Sequence, residues 1–199
     1  MSRQPASPIR DERLVWDIQD YLKVSANRPS EGERNYMLFT IGVTTGYRAG
    51  DLVELRVRDA RDALKNGFFE IDESKTQRFD KPKRRAELVD RCAKELRKYV
   101  KGRKDYEWLF PSRKGNGHIT AASYSRILNQ AASYFGIKHI TGHSMRKTYA
   151  YRLYERNNKD IALVSQMLTH RSIDWTKRYI GLDDERYHEA VQCLNSFIR

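Results

Sequence analysis

The chain has few cysteines and no long hydrophobic stretch. Its two cysteines, Cys92 and Cys193, follow no metal-binding or redox spacing, so neither a disulfide nor a metal site is expected. Both fall on apolar faces of predicted helices, as expected for a reduced, cytoplasmic chain. The apolar runs are only a few residues long, which argues against a membrane-spanning helix. Residues 1–10 lack the apolar core of a signal peptide and are predicted to form a flexible tail.

Negative charge is also scarce relative to positive charge. The 199 residues include 38 Lys+Arg against 26 Asp+Glu, which gives a formal net charge of +12. Such an excess favours a polyanionic partner, because contacts to phosphates release condensed counterions. A merely basic protein without such a partner is the simpler alternative. Charge therefore indicates a nucleic-acid partner and leaves the chemistry open.

The hydrophobic pattern predicts a mainly α fold with a small antiparallel β-sheet, an α+β class. Helices are predicted over 11–24, 35–45 and 51–55, after Asp90 as N-cap, from Thr120 as N-cap to Phe135, over 144–156 and 160–168, and from residue 183 or 184 onward. Two strands are predicted, Phe68–Ile71 and Arg85–Val89, with turn residues between them. No repeat or linker divides the chain, so residues 11–199 are predicted to be one domain.

Six residues of types that handle phosphate occur in short, recognisable strings. Arg48 lies in Thr-Gly-Tyr-Arg-Ala-Gly-Asp-Leu, Lys75 in Ser-Lys-Thr, and His143 and Arg146 in His-Ser-Met-Arg. His170 follows Leu-Thr, and Tyr179 comes nine residues after it. Arginine suits bidentate phosphate binding, and His143 and Arg146, three apart at a helix start, share one face. Taken singly, each has an ordinary structural alternative, such as a surface arginine or a capping histidine.

With these strings the chain resembles the tyrosine recombinases, or phage integrase family, from about residue 10 to the C-terminus. The resemblance implies the DNA breaking-rejoining catalytic fold. It also implies Tyr179 as the nucleophile, Lys75 as the acid that protonates the leaving 5′ oxygen, and Asp51 as a residue that orients Arg48 or nearby backbone. Arg48, Arg146 and His170 would stabilise negative charge in the transition state, and His143 would assist proton transfer. The usual glycine before His170 is Thr169 here.

The implied enzyme cleaves and rejoins DNA through a 3′-phosphotyrosyl intermediate, with no cofactor, metal or ATP. An i,i+4 metal pair of His139 and His143 is disfavoured, because Gly142 interrupts the helix and no carboxylate is placed nearby. Lys75 is preferred to Lys81 or Lys83 on its Ser-Lys-Thr match. Further basic residues are expected to contact DNA, with a solvated basic surface as the alternative: Arg78, Lys81, Lys83, Arg84, Arg85, Lys177 and Arg178.

Arg48 comes too early for the separate helical DNA-binding domain that most such recombinases place before the catalytic one. We therefore expect a catalytic domain alone, DNA-associated in the cytoplasm and assembled as a homotetramer on DNA. The main hypothesis is a site-specific DNA recombinase or integrase. Two alternatives stay open: type IB-like topoisomerase activity without strand exchange, and a non-catalytic DNA-binding protein that kept the fold.

Overall fold

The computed structural model describes residues 6–71, 83–170, 172–182 and 191–192. In chain order the helices of these ranges are α1 (Glu12–Val24), α2 (Pro29–Thr45), α3 (Ala49–Val53), α4 (Val57–Asn66), α5 (Asp90–Tyr99), α6 (Ala121–Tyr134), α7 (Gly142–Arg156), α8 (Ile161–Met167) and α9 (Ile173–Ile180). Two strands, β1 (Phe68–Ile71) and β2 (Arg84–Glu87), pair antiparallel. The predicted fold class, mainly α with a small antiparallel sheet, is confirmed. No helix in the described ranges is long and apolar enough to cross a membrane.

The chain divides into two compact units, residues 1–149 and 150–199, and the boundary falls inside α7. The core of the first unit is centred on α2. Apolar side chains of α2 that are almost completely buried are Met37, Leu38, Phe39 and Ile41. Helix α1 begins at the cap Asp11, packs along α2 and adds Ile18 and Leu22 to the same core. Burying each such side chain contributes roughly 1.5–3 kcal/mol to stability. This burial stabilises the position of α2 and therefore of its C-terminal end.

The ends of several helices and strands differ by a residue or so from those predicted from the hydrophobic pattern. Strand β2 begins one residue earlier than predicted and ends at Glu87, and one further hydrogen bond in the same register runs from the Leu88 amide to the Gly67 carbonyl at 2.8 Å. Val89 is the N-cap of α5, so the prediction that Asp90 caps this helix is wrong, and Asp90 is its first residue. Thr120 caps α6 as predicted, its hydroxyl accepting from the Ser123 amide at 3.1 Å.

Two helices of the structure were not predicted from the sequence. Helix α4 is dominated by charged residues and buries only Val57 and two alanines, so its apolar face is small. Helix α9 spans eight residues, begins where the Ser172 hydroxyl accepts from the Trp175 amide at 3.1 Å, and ends at Gly181. The helix predicted from residue 183 lies outside the described residues, apart from residues 191–192.

In the second unit, α8 ends in a Schellman motif. The Thr169 amide donates to the Gln166 carbonyl at 2.9 Å, and the His170 amide donates to the Ser165 carbonyl at 3.0 Å. Such an ending requires a left-handed residue, usually glycine, between the two turns. Thr169 takes that conformation with φ +55°. Thr169, which stands where a glycine is usual, is therefore a β-branched residue in a strained backbone conformation directly before His170.

Candidate active site

The segment from residue 45 to 51 joins two helices of the first unit. Helix α2 ends at Gly46, which has φ +64°, and Arg48 is the N-cap of α3. Arg48 is half-buried and Asp51, in the first turn of α3, is buried. Arg48 has an extended backbone and precedes the helix, so the two residues lie at the same helix start, three residues apart in the chain. The sequence string around Arg48 is thus a helix end, a turn and a helix start in close succession.

Three glycines bring the first turns of α7 against this segment. A Cβ added to Gly42 would overlap the sulfur of Met145, one on Gly46 would overlap the ring of Tyr149, and one on Gly142 would overlap the Cβ of Ala49. Only glycine permits such close approach of the backbone to a neighbouring side chain. Two strings about 100 residues apart in the chain therefore meet in the first unit.

Arg146 is held at this junction. Its side chain is 2% exposed, and its Nη1 donates to the Gly46 carbonyl at 2.9 Å. Burial of a guanidinium is tolerated only where its N–H groups have partners, so the backbone at Gly46 helps to fix its position. His143 is the second residue of α7 and is exposed at that helix start. Its amide donates to the Thr141 hydroxyl at 3.2 Å, which anchors the first turn.

A second buried arginine, Arg84, holds the adjacent carbonyl. Its Nη2 donates to the Thr45 carbonyl at 2.7 Å, and its guanidinium lies 4.6 Å from the centre of the Tyr47 ring. The Tyr47 hydroxyl lies 3.0 Å from the Phe69 carbonyl and 2.6 Å from the Arg84 carbonyl, so it joins both strands. Burial raises the pKa of Tyr149, while Arg84 and Arg146 act in the opposite direction, Arg84 also through a hydrogen bond. These contacts give Arg84 a structural role that sequence reasoning missed.

The strands β1 and β2 flank the stretch that contains Lys75. Lys75, Arg78 and Lys81 lie outside the described residues. Lys83 is exposed just before β2. Arg85 is exposed, lies 3.5 Å from the centre of the Phe68 ring and pairs with Glu70 at 3.9 Å.

The second unit contains the predicted His170 and Tyr179. Their ring centres are 4.9 Å apart at an interplanar angle of 78°, an edge-to-face contact. Tyr179 lies in the last turn of α9 and is 9% exposed. The neighbouring Lys177 pairs with Asp174 at 3.4 Å, and Arg178 is exposed.

His170 has a further partner on the same helix. Its Nδ1 lies 3.0 Å from the hydroxyl of Thr176, a fully buried residue one turn before Tyr179. Sequence reasoning missed Thr176, because a threonine within a helix carries no signal of its own.

Five of the six predicted residues lie in the described ranges and divide between the two units, while Lys75 lies outside those ranges. Arg48, His143 and Arg146 gather in the first, together with Asp51, and His170 and Tyr179 gather in the second. Within the described residues, no group of three or more histidine, cysteine, aspartate or glutamate side chains is arranged to hold a metal ion.

The sequence was compared with protein-family profiles and with known proteins, and both comparisons found tyrosine recombinases or phage integrases. The sequence profile of the phage integrase family matches residues 16–186. The probable integrase/recombinase YoeC of Bacillus subtilis (strain 168) is 33% identical over 185 residues, covering 93% of this chain and 94% of that protein. The tyrosine recombinase XerD of Rhizobium meliloti (strain 1021) is 30% identical over 186 residues, covering 90% of this chain. The match spans only 57% of that XerD.

Solved structures share the fold at lower identity. The crystal structure of XerA recombinase superposes with a TM-score of 0.68 at 22% identity, covering 96% of this chain and 65% of that chain. A lambda integrase dimer bound to a COC′ core site gives a TM-score of 0.64 at 21% identity, covering 90% of this chain and 61% of that chain.

Proposed function

Because this chain belongs to the phage integrase family, we propose that it is a site-specific DNA recombinase whose nucleophile is Tyr179. The Tyr179 oxygen attacks a DNA phosphorus, a P–O bond to Tyr179 forms, and the bond from phosphorus to the 5′ oxygen breaks. The product is a 3′-phosphotyrosyl link and a free 5′ hydroxyl. Attack by a 5′ hydroxyl on that link reverses the step and rejoins the strand without ATP.

Each cationic residue has a part in this scheme. Arg48 and Arg146 bind non-bridging oxygens of the phosphate and, with His170, stabilise the charge that grows on them. His143 assists removal of the tyrosine proton, and Lys75 protonates the departing 5′ oxygen. Asp51 orients Arg48 or nearby backbone. Positive side chains thereby serve where a divalent metal would otherwise neutralise charge, so the reaction needs no metal.

The observation that carries the proposal is the contact between Tyr179 and His170. The tyrosine selected by its spacing from His170 has its ring edge-on to that histidine. Thr176 and Tyr179 are one turn apart on α9, so a single helix carries the phenol and supports the imidazole.

The proposed partner is double-stranded DNA, on which the protein assembles as a homotetramer in the cytoplasm. The net charge of +12 and exposed basic residues such as Lys83, Arg85 and Arg178 support DNA binding. Related proteins include a lambda integrase solved as a dimer on DNA and XerH solved bound to its difH substrate.

The decisive experiment is trapping of the covalent intermediate. The protein is incubated with end-labelled DNA from its own genomic neighbourhood, and denaturing gels separate adducts from free DNA. We expect wild type to form an adduct, Tyr179→Phe to bind DNA without forming one, and the matched control Tyr154→Phe, in the same unit, to behave as wild type.

The same reactions discriminate the alternatives. Adduct formation should survive EDTA and weaken as salt rises. Relaxation of supercoiled DNA without recombinants would indicate a topoisomerase-like activity, and DNA binding without any adduct would indicate a non-catalytic protein. An adduct that persists in Tyr179→Phe would refute the nucleophile assignment.

A further inference from the structure

Thr176 makes two hydrogen bonds with its one hydroxyl group. The oxygen lies 3.1 Å from the carbonyl of Ser172, four residues earlier on α9, and 3.0 Å from Nδ1 of His170. The residue is completely buried.

The direction of these bonds follows from their chemistry. A carbonyl oxygen only accepts, so the single hydroxyl proton of Thr176 is donated to Ser172. The hydroxyl then receives its other hydrogen bond from His170, which requires a proton on Nδ1. With Nδ1 protonated, Nε2 is the nitrogen whose proton content changes between the neutral and the charged ring.

The backbone of His170 is fixed independently of the ring. The His170 amide donates to the Ser165 carbonyl at 3.0 Å, and the preceding residue is in the left-handed region at φ +55°. This sets the position of the Cα but not the rotation of the imidazole. The bond to Thr176 and the edge-to-face contact with Tyr179 supply that orientation.

We propose that Thr176 is a positioning residue that keeps His170 in the Nδ1-protonated tautomer and ties its ring to the helix carrying Tyr179. The proposal rests on the proposed function, in which His170 acts on the phosphate. Because Nδ1 donates in both the neutral and the charged ring, His170 gains or loses a proton at Nε2 without breaking its bond to Thr176. If Nδ1 were the acceptor, protonation would force the threonine hydroxyl to turn away.

Two substitutions of Thr176 separate its shape from its hydroxyl. Thr176→Val keeps a similar shape but cannot accept a hydrogen bond, and Thr176→Ser keeps the hydroxyl. Thr40→Val is the matched control, since the Thr40 hydroxyl also donates four residues back, to Tyr36 at 2.8 Å, and accepts from a side chain, Gln19 at 2.6 Å. No histidine takes part in those two bonds.

The first readout is the protonation pattern of His170, measured by ¹⁵N–¹H NMR correlations that distinguish Nδ1–H from Nε2–H. His170→Asn identifies its signals among the five histidines. We expect Nδ1–H in wild type, Thr176→Ser and Thr40→Val, and a population with Nε2–H in Thr176→Val. This measurement needs neither DNA nor activity.

The second readout is the rate of covalent adduct formation at saturating DNA. Removing a group that orients a functional histidine costs roughly 10- to 100-fold, and we expect Thr176→Val to lose activity in that range with its DNA affinity unchanged. Thr176→Ser should stay within a few-fold of wild type.

The outcomes are separable. A neutral His170 ring protonated on Nε2 rather than Nδ1 in the wild type would overturn the proposal, as would a Thr176→Val variant with an unchanged tautomer or an unchanged adduct rate. Should Thr176→Val not fold, the wild-type tautomer and the rate of Thr176→Ser still decide the matter. Wild type with Nδ1–H but no adduct would contradict the proposed function and leave the tautomer assignment standing.

Discussion

Alanine at position 46 should disturb both the backbone and the packing of the candidate active site. Gly46 has φ +64°, and an added Cβ would overlap the ring of Tyr149. A left-handed conformation costs a residue other than glycine about 1–2 kcal/mol. Overpacking a filled site costs about 1–3 kcal/mol more. We therefore expect Gly46→Ala to lower the free energy of unfolding by about 2–5 kcal/mol, a large part of a typical domain's stability.

Two other glycines provide controls for the separate causes. Gly67 has φ +83° with nothing within 4 Å of an added Cβ, so Gly67→Ala should show only the backbone cost, about 1–2 kcal/mol. Gly42 lies within α2, where an added Cβ meets the sulfur of Met145, so Gly42→Ala should show the packing cost less the roughly 0.5–1 kcal/mol that alanine gains over glycine inside a helix. Urea unfolding of the three variants measures both contributions.

A double-mutant cycle with Tyr149→Ala completes the assay. Once the ring is absent, Gly46→Ala should cost only its backbone share, which gives a coupling of about 1–3 kcal/mol between the two positions. The adduct-forming activity of Gly46→Ala should also fall, because Arg146 donates to the Gly46 carbonyl. If Gly46→Ala were no more destabilising than Gly67→Ala, the close approach of Tyr149 to the backbone would be refuted.

Three further predictions concern single residues. Thr169→Gly should raise the free energy of unfolding by about 1 kcal/mol, because it removes a β-branched residue from the left-handed conformation. A lower stability in urea unfolding would contradict this, and would show that the hydrogen bond from the Thr169 hydroxyl to the Leu168 carbonyl outweighs the strain. Tyr47→Phe should lower the free energy of unfolding by about 1–3 kcal/mol, because the one buried hydroxyl proton shared by the Phe69 and Arg84 carbonyls is lost; an unchanged urea midpoint would contradict this. Burial raises the pKa of the Cys92 thiol from 9.0 to about 11. The folded state therefore holds this proton more tightly than the unfolded state does. The resulting contribution to the free energy of unfolding is fully present below pH 9 and is lost as the pH rises toward 11. Relative to Cys92→Ala, wild type should lose up to about 1.4 kcal/mol per pH unit in that window, and parallel pH profiles would refute this.

The sequence predicted those parts of the molecule whose signal is local. The strings around Arg48 and His143 combine a helix end or start with reactive residue types in a few positions, so both could be located without a structure. Strong hydrophobic periodicity likewise located α1 and α6. Helix α4 was missed because its buried residues are few and small, and hydrophobicity scarcely distinguishes them from the charged residues around them.

Contacts between distant segments were beyond sequence reasoning. Arg84 looked like one more cation in a basic stretch and was expected to contact DNA, yet it is 7% exposed and bonded to a carbonyl 39 residues earlier. Arg85, the next residue of β2, is exposed. The predicted strand began at Arg85, so the alternation that places Arg84 on the buried face with Ala86 was not extended to Arg84. The role of Lys75 remains a prediction, since its position lies outside the described residues.

The two guanidinium groups at the end of α2 have an electrostatic consequence. The carbonyls of Thr45 and Gly46, which accept from Arg84 and Arg146, lie at the C-terminal end of a 17-residue helix. The aligned peptide dipoles place about half a negative charge at such an end, and cations there are favoured. In these contacts each arginine donates to a neutral carbonyl, which leaves its formal charge unchanged. The helix end thus acts as a fixed negative pole beside two buried cations and helps to hold both side chains in place.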